Sequence, residues 1–388
     1  MKHRTGHIDL YIFISVLALM LFSIGVVYSA SNYKASYMYK GDTDYFFRNH
    51  AIRVVVGVGA LFAGMFIDYH HYKRWSKLIL IAGLMFLALA LVGGSAIKGA
   101  HRWLRLGPLS FQPSEFVKYA LVIHLSVLLS MKQKYIQDFK YGYAPLMLWV
   151  LAVTGLIFLQ PNMSNGALIL SIGLLMMFIG RVNVKHIVAT VAAGIPLLFI
   201  YALSAPYRLY RLQAYLMNDS ATGLSNSRYQ IEQAMIALGN GGVLGLGMGM
   251  SKQKELFLPE SYGDFIFAIV GEEYGFVGTL VILVIFGLVL IRGVKIAKRA
   301  IDDLGRFLAI GITMTVVVYA LVNASVTCGL APTTGLPMPF LSYGGTAILF
   351  TAYALGILLN ISMFTRLRPR ENLVLTPEST PPTSQLYQ

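Results

Sequence analysis

Ten apolar blocks dominate the hydrophobic pattern of this chain of 388 residues. Crossing the hydrocarbon core of a bilayer takes a helix of about 20 residues, and most of the blocks approach that length. The blocks are apolar throughout and do not alternate with period two, so they predict membrane helices and exclude an outer-membrane barrel. They cover residues 10–30, 49–67, 76–94, 114–131, 144–159, 166–180, 187–203, 264–291, 307–327 and 344–364.

The pattern predicts an all-α membrane protein, a polytopic bundle of about ten transmembrane helices. One integral-membrane domain covers residues 1–365. Two connections are long, 31–48 and 204–263, and the second is a large outer loop between helices 7 and 8. Long loops in compact proteins more often have a function than not. Residues 366–388 are polar and rich in proline, which predicts a disordered cytoplasmic tail.

Composition supports this class and limits the partners. Hydrophobic residues make up 56% of the chain and charged residues 12%, about half the charge of an ordinary soluble domain. The formal net charge of +14 does not indicate nucleic-acid binding, because no soluble domain carries a basic face. Lys and Arg are more numerous in connections on the amino-terminal side, which predicts both termini in the cytoplasm. Cys328 is the single cysteine, which excludes an internal disulfide.

Basic residues also occur in the predicted outer connections, among them Arg102, Arg105 and Lys254. They are explained equally well by attraction to anionic headgroups or by an anionic substrate at the outer leaflet. The glycine-rich stretch 239–249 lacks the strand and the Gly-Lys-Ser order of a phosphate-binding loop. It predicts instead an outer loop that folds back closely on the bundle.

The first of three polar clusters opens the fourth block. Pro113 suits a first helical turn, and Glu115 complements the dipole there, which is the capping interpretation. Lys118 lies three residues further on, on the same helical face. Two charges at the mouth of a membrane helix are costly unless they are paired or used, so the pair is a candidate for function.

The second cluster, residues 258–267, joins the outer loop to the eighth block. Asp264 stands at this junction, either as a helix cap or as a functional carboxylate. Glu272 and Glu273 follow about 12 Å deeper along the helix, and at least one should face the bundle interior. Gly271 and Gly275 form a small-xxx-small pair that predicts close helix packing.

The third cluster, residues 335–346, contains two prolines and a glycine pair that preclude a regular helix. Irregular backbone near a membrane must be buried in protein or line a wet cavity, and both interpretations remain open here.

These clusters resemble those of the SEDS family (shape, elongation, division and sporulation), which includes FtsW, RodA and SpoVE. The similarity runs from about residue 10 to 364, and 27–31 is more similar to FtsW than to RodA. The chain departs from the family at Asn162, where an aspartate is usual, and at Tyr262 and Gly263, where His and Thr are usual. The matching segments are 102–107, 112–118, 160–161, 245–247, 254, 258–260, 264–267, 271–273 and 335–345.

The resemblance implies a peptidoglycan glycosyltransferase that polymerises lipid II at the outer face of the bacterial cytoplasmic membrane, with septal wall synthesis as its role. Asp264 would be the general base for the attacking sugar hydroxyl. Lys118, oriented by Glu115, would stabilise the leaving pyrophosphate. A divalent cation, Mg²⁺ or Mn²⁺, is a candidate cofactor. Candidate substrate-binding residues are Arg102, Arg105, Gln112, Gln160, Lys254, Glu260 and Ser342.

The expected partners are lipid II, membrane lipids, a class B penicillin-binding protein and other division or elongation proteins. One alternative is a lipid II flippase, in which Glu272 and Glu273 would serve a proton pathway. Carriers place their sites near the midplane, however, whereas the polar clusters gather on one face. A scaffold that recruits a transpeptidase is a third interpretation. An elongation or sporulation role remains open beside division.

Overall fold

The structure is a computed structural model that describes residues 7–97, 100–106, 109–203 and 226–365. The predicted tail lies outside the described residues, as does part of the predicted outer loop. The described chain is mainly helical, with α1 (Leu10–Met38), α2 (Tyr45–Phe66), α3 (Tyr72–Gly93), α4 (Pro113–Lys132), α5 (Ala144–Leu159), α6 (Met163–Ile179), α7 (Val184–Leu203), α8 (Asn226–Gly241), α9 (Ile266–Arg299), α10 (Asp303–Thr327) and α11 (Gly345–Phe364).

Each predicted apolar block coincides with a helix, which confirms a polytopic helical membrane protein. In the described part of the chain, nine helical segments are long and apolar enough to cross a membrane. The tenth, α6, is apolar but has only 17 residues. α8 is an additional helix inside the predicted outer loop. It buries Ile231, Ala234 and Ala237 along one stripe and packs against α9.

The prediction of a long connection over residues 31–48 is wrong. α1 continues to Met38 and α2 begins at Tyr45, so only residues 39–44 link the two helices. The rings of Tyr39 and Tyr45 stack across this turn with their centroids 3.7 Å apart. Most residues from 31 to 38 are polar or aromatic, which ends the hydrophobic pattern but does not oppose a helix.

A small antiparallel sheet connects α3 to α4, and the hydrophobic pattern did not predict it. Its strands are β1 (Ser95–Ile97), β2 (Ala100–Leu106) and β3 (Leu109–Phe111), in the order β1-β2-β3. Arg105 in β2 pairs with Ser110 in β3. β1 and β3 have only three residues each, too few for period-two alternation to be recognisable, and polar and apolar residues do not alternate regularly along β2. The sheet carries two of the predicted basic residues, Arg102 and Arg105.

The centre of the bundle is formed by α4, α10 and α11, whose side chains are buried around most of the helix circumference. α11 packs tightly on α2, because a glycine on each helix lets the backbones approach. A Cβ atom added to Gly356 would lie 3.0 Å from the Cα atom of Gly64. Larger side chains at these positions would therefore separate the two helices.

Helix α9 is broken at Gly275, whose φ of 68° and ψ of −165° are not helical. Segment 242–247, from the glycine-rich stretch, fills the break. The amides of Leu246 and Gly247 donate to the carbonyls of Glu272 and Glu273, at 2.9 and 3.0 Å. Two further bonds run the other way, from Phe276 N to Gly242 O (2.9 Å) and from Val277 N to Val243 O (3.1 Å).

This exchange satisfies backbone groups that a membrane helix must not leave unpaired. It also explains the glycines, because a Cβ atom on Gly245 would collide with the backbone of Glu273. The structure thus confirms the prediction that the glycine-rich loop folds closely onto the bundle. The predicted close packing of the Gly271 and Gly275 pair involves two partners. A Cβ atom added to Gly271 would lie 2.3 Å from Leu238 Cδ2 in α8, and one added to Gly275 would lie 2.4 Å from the backbone nitrogen of Gly245 in the loop.

Candidate active site

The three backbone carbonyls of residues 262–264 are each held by a hydrogen bond from another element. This clamp fixes the backbone just before α9, where Asp264 lies. It joins the second polar cluster to the third and to α10, which the sequence separates by 59 to 81 positions. The donors are the Tyr343 amide to Tyr262 (2.9 Å), the Ser342 hydroxyl to Gly263 (2.7 Å) and the Asn323 side-chain amide to Asp264 (2.7 Å).

Asn323 is a site residue that the sequence analysis missed. Its side-chain nitrogen donates both to the carbonyl of Asp264 and to that of Leu336, at 2.7 and 2.8 Å. It is buried, with 1% of its surface exposed. The available signal was a lone amide within an otherwise apolar span, since buried polar residues in membrane helices usually have a specific partner.

Asp264 does not cap α9, so the capping interpretation is wrong. The N-cap residue is Phe265, whose side chain makes no capping hydrogen bond. The Asp264 side chain is half-buried, and its Oδ2 atom lies 3.5 Å from the position that a Cβ atom of Gly335 would occupy. Gly335 has a φ of +68°, which favours glycine. The irregular third cluster therefore packs against the Asp264 carboxylate through a residue without a side chain.

Aromatic side chains line the same junction. The ring of Tyr262 lies 5.6 Å from that of Tyr343 and 4.8 Å from that of Phe46. The Arg53 guanidinium lies over the Tyr343 ring at 4.2 Å. Burial raises the pKa of both Tyr262 and Tyr343 above the usual tyrosine value, so both phenols stay neutral. Tyr262, which stands where the family usually has histidine, is therefore no proton acceptor at neutral pH.

Glu115 and Lys118 form the ion pair that their spacing predicted. The Lys118 ammonium lies 2.7 Å from the Glu115 carboxylate, and the two side chains are 5% and 2% exposed. The ammonium also lies 4.1 Å from the centre of the Tyr319 ring. The pair is thus buried inside the bundle and is not a surface charge pair. A buried charge without a partner is energetically costly, so removal of either residue would leave the other as an uncompensated charge.

Helix α10 contacts both this ion pair and the backbone of Asp264. Tyr319, which contacts Lys118, and Asn323, which holds the Asp264 carbonyl, lie four residues apart on one face of the helix. One helical turn of this kind advances about 6 Å along the axis. The predicted base and the predicted cation are therefore supported by adjacent turns of one helix.

Arg102, Gln160 and Gln112 form a second group of predicted residues. The Arg102 guanidinium donates to the carbonyls of Gln160, at 3.1 Å, and Pro161. The side-chain amide of Gln160 is buried and donates to Leu87 O at 2.7 Å. The backbone amide of Gln112 donates to the Thr346 hydroxyl at 3.3 Å. These contacts join the sheet to the turn between α5 and α6 and to the start of α11.

The other four predicted substrate-binding residues differ in exposure. Arg105 is exposed, and Glu260 is half-buried in the turn before α9. Ser342 is 2% exposed and its hydroxyl is bonded to the backbone. Lys254 is 6% exposed and points to the Gly249 carbonyl at 2.7 Å. Contact of these residues with substrate stays a prediction.

Within the described part of the chain, no three His, Cys, Asp or Glu residues lie close enough to hold a metal ion. The Glu115 carboxylate is already bonded to Lys118. The donor set therefore does not fit a dedicated metal centre.

Comparisons with known proteins agree with this architecture. The family model FtsW/RodA/SpoVE, described as "Cell cycle protein", matches residues 9–367. "Probable peptidoglycan glycosyltransferase FtsW" of Trichlorobacter lovleyi is 38% identical over 370 residues, covering 94% of this chain and 96% of that protein. "Stage V sporulation protein E" of Bacillus subtilis is 38% identical over 360 residues, covering 92% and 98%.

Two solved structures share the fold at 24% identity. One is a chain from a study of a peptidoglycan synthase complex, with a TM-score of 0.74 and coverage of 92% of this chain and 97% of that one. The other is the rod shape determining protein RodA of Thermus thermophilus, with a TM-score of 0.68 and coverage of 93% and 98%. The family model matches residues 9–367, which is nearly the whole of this chain. The chain therefore belongs to the FtsW/RodA/SpoVE family of cell cycle proteins.

Proposed function

We propose that this protein is a peptidoglycan glycosyltransferase that polymerises lipid II into glycan strands. The observation that carries the proposal is that two residues on adjacent turns of α10 contact both groups: Tyr319 contacts the Lys118 ammonium, and Asn323 holds the backbone carbonyl of Asp264. Relatives named peptidoglycan glycosyltransferase FtsW, 37% and 38% identical over more than nine-tenths of the chain, support the same activity.

In this mechanism a sugar 4-hydroxyl attacks the anomeric carbon of lipid II. The new bond from oxygen to carbon forms as the bond from carbon to the pyrophosphate oxygen breaks, which inverts the configuration. Asp264 accepts the hydroxyl proton, which makes the oxygen a competent nucleophile. Undecaprenyl pyrophosphate leaves with the electron pair, and the Lys118 ammonium stabilises the negative charge that develops on it.

The surroundings of the two groups suit these roles. Glu115 holds the Lys118 ammonium at 2.7 Å, which fixes its position before substrate arrives. The clamp on carbonyls 262–264 does the same for the backbone of Asp264. Fixed charges and a fixed base reduce the reorganisation needed in the transition state, which is a main source of enzymatic rate enhancement.

The active site would face outward from the bacterial cytoplasmic membrane, with both termini in the cytoplasm. This orientation rests on the distribution of Lys and Arg. The expected partner is a class B penicillin-binding protein, which would crosslink the strands as they form. Septal synthesis is the proposed role, with elongation and sporulation as the alternatives.

The flippase alternative gains no support from the two buried glutamates. Glu272 accepts a hydrogen bond from the Ser251 hydroxyl and is approached by the amides of Lys252 and Gln253, both at 3.3 Å. A carboxylate engaged in this way holds a turn of the chain in place.

Polymerisation of labelled lipid II by the purified protein tests the proposal, with and without a cognate class B penicillin-binding protein. We expect glycan strands of many repeats with the partner present. A protein that remains inert under both conditions, while it moves labelled lipid II across a vesicle bilayer, would establish the transport alternative.

A further inference from the structure

The buried residues around the break in α9 form a connected group that the mechanism above does not use. Lys254 and Glu273 lie at its centre, with the Lys254 ammonium 3.7 Å from the Glu273 carboxylate. The Ser29 hydroxyl of α1 donates to the same carboxylate oxygen, Glu273 Oε1, and lies 3.3 Å from the ammonium. Three elements therefore meet here: α1, the chain before Asp264, and the first part of α9.

This group lies within protein and not at the surface. Lys254 is 6% exposed and Glu273 is 1% exposed. Removal of one member of a buried ion pair leaves an uncompensated charge, which destabilises the local structure strongly. The pair is therefore a point at which the loop is held firmly to the helix.

The loop is attached to α9 at two further points. Segment 242–247 exchanges backbone hydrogen bonds with the break at Gly275. Glu272 then accepts from the hydroxyl of Ser251 and the amides that follow it. Three attachments therefore follow one another along residues 242–254, namely the backbone hydrogen bonds at the break, the Glu272 contacts and the Lys254–Glu273 ion pair. Together they fix the whole segment against α9.

A short stretch of chain connects this segment to Asp264. Leu258 N donates to Gln253 O at 2.8 Å, and the Ser261 hydroxyl donates to Ala30 O in α1 at 3.1 Å. Ala30 directly follows Ser29, which contacts the ion pair. The chain leading to Asp264 is thus anchored twice on the same turn of α1.

We propose that Lys254 and Glu273 are positioning residues for Asp264: their ion pair holds the loop in the break of α9 and so sets where the carboxylate lies. This inference rests on the proposed glycosyltransferase function. It assigns Lys254 to the protein interior and not to substrate binding. A misplacement of about 1 Å in a catalytic group can lower the rate about 100-fold, so loss of the pair should reduce turnover and leave substrate binding largely intact.

The test measures kcat and KM for labelled lipid II in nanodiscs, together with the cognate transpeptidase. The variants are Lys254→Met, Glu273→Gln and the double variant that carries both changes. Glu255→Gln and Lys298→Met are matched controls, because both of these side chains are exposed. A second readout crosslinks cysteines at positions 25 and 248 with a short bifunctional maleimide in a Cys328→Ser background. Met248 Cε lies 3.2 Å from a Cβ atom at Gly25, so crosslinking reports a seated loop.

We expect each single variant to lower kcat about tenfold or more, with KM within about twofold of wild type. The double variant, which removes both charges, should recover much of this loss and restore crosslinking. If the single variants do not fold, Ser29→Ala still tests the idea, because it keeps both charges and removes one donor to Glu273. It should lower kcat severalfold and weaken crosslinking.

Three results would overturn the inference. The first is a wild-type kcat in both single variants. The second is an increase in KM without a fall in kcat in Lys254→Met. The third is a kcat of the double variant that is no higher than that of the less active single variant. The second of these would make Lys254 a substrate contact. Failure of the proposed function is a separate result, because the wild-type protein would then make no glycan. Crosslinking would still show whether the ion pair holds the loop against the bundle.

Discussion

Replacement of Asp264 by Asn is the change that most directly tests the proposed chemistry. The two side chains have the same shape, but the amide cannot accept the proton of the attacking hydroxyl. The clamp on this residue acts through its backbone carbonyl, which accepts from Asn323 at 2.7 Å and is unchanged by the substitution. The fold around the site should therefore survive.

The magnitudes separate a catalytic role from a structural one. Loss of a general base typically lowers the rate 10²–10⁴-fold, which corresponds to about 3–5 kcal/mol in the activation free energy. Loss of a helix cap would cost only about 1 kcal/mol of stability. The cap residue of α9 is Phe265, so even this smaller loss is not expected for Asp264→Asn.

The assay is polymerisation of labelled lipid II by the purified variant with its transpeptidase partner, alongside thermal unfolding in the same nanodiscs. Asp303→Asn is the matched control, because this exposed aspartate lies at the opposite end of α10 from Asn323. We expect normal unfolding and partner binding for Asp264→Asn and a rate at least about 100-fold below wild type. Polymerisation within about threefold of wild type would remove Asp264 as the base.

Three further predictions follow from the site and the topology. Lys118→Ala should lower polymerisation about 100-fold and Lys118→Arg should retain part of the rate, whereas normal rates in both would exclude a role in leaving-group stabilisation. Asn323→Ala removes two hydrogen bonds, so it should lower the free energy of unfolding by about 2 kcal/mol and the polymerisation rate severalfold. An unchanged melting temperature would contradict this prediction. Single cysteines at Ser225 and Ser384, in a Cys328→Ser background, should react with an impermeant maleimide from outside and inside respectively.

The helical bundle was predictable because membrane helices are encoded by local composition. A continuous apolar block predicts a span whatever the rest of the chain does, and each predicted block lies in a helix of the structure. The Glu115–Lys118 pair was predictable for a similar reason, since residues three apart on a helix are neighbours in space. The small sheet and the true length of α1 were missed because their residues carry little periodicity.

Contacts between distant parts of the chain were decided by the tertiary structure. Residue types near Asp264 matched a known family, but nothing in their spacing indicated that Asn323 holds its carbonyl. The contact between Lys254 and Ser29 was likewise not predictable, because Ser29 lies 225 positions away in α1. The break at Gly275 depends on segment 242–247, which forms hydrogen bonds with the backbone groups that the break exposes. These bonds exist only in the folded protein, so neither sequence segment by itself predicts the break. Local patterns determined which segments span the membrane, whereas the need to pair buried charges and backbone groups determined how those segments assemble into a site.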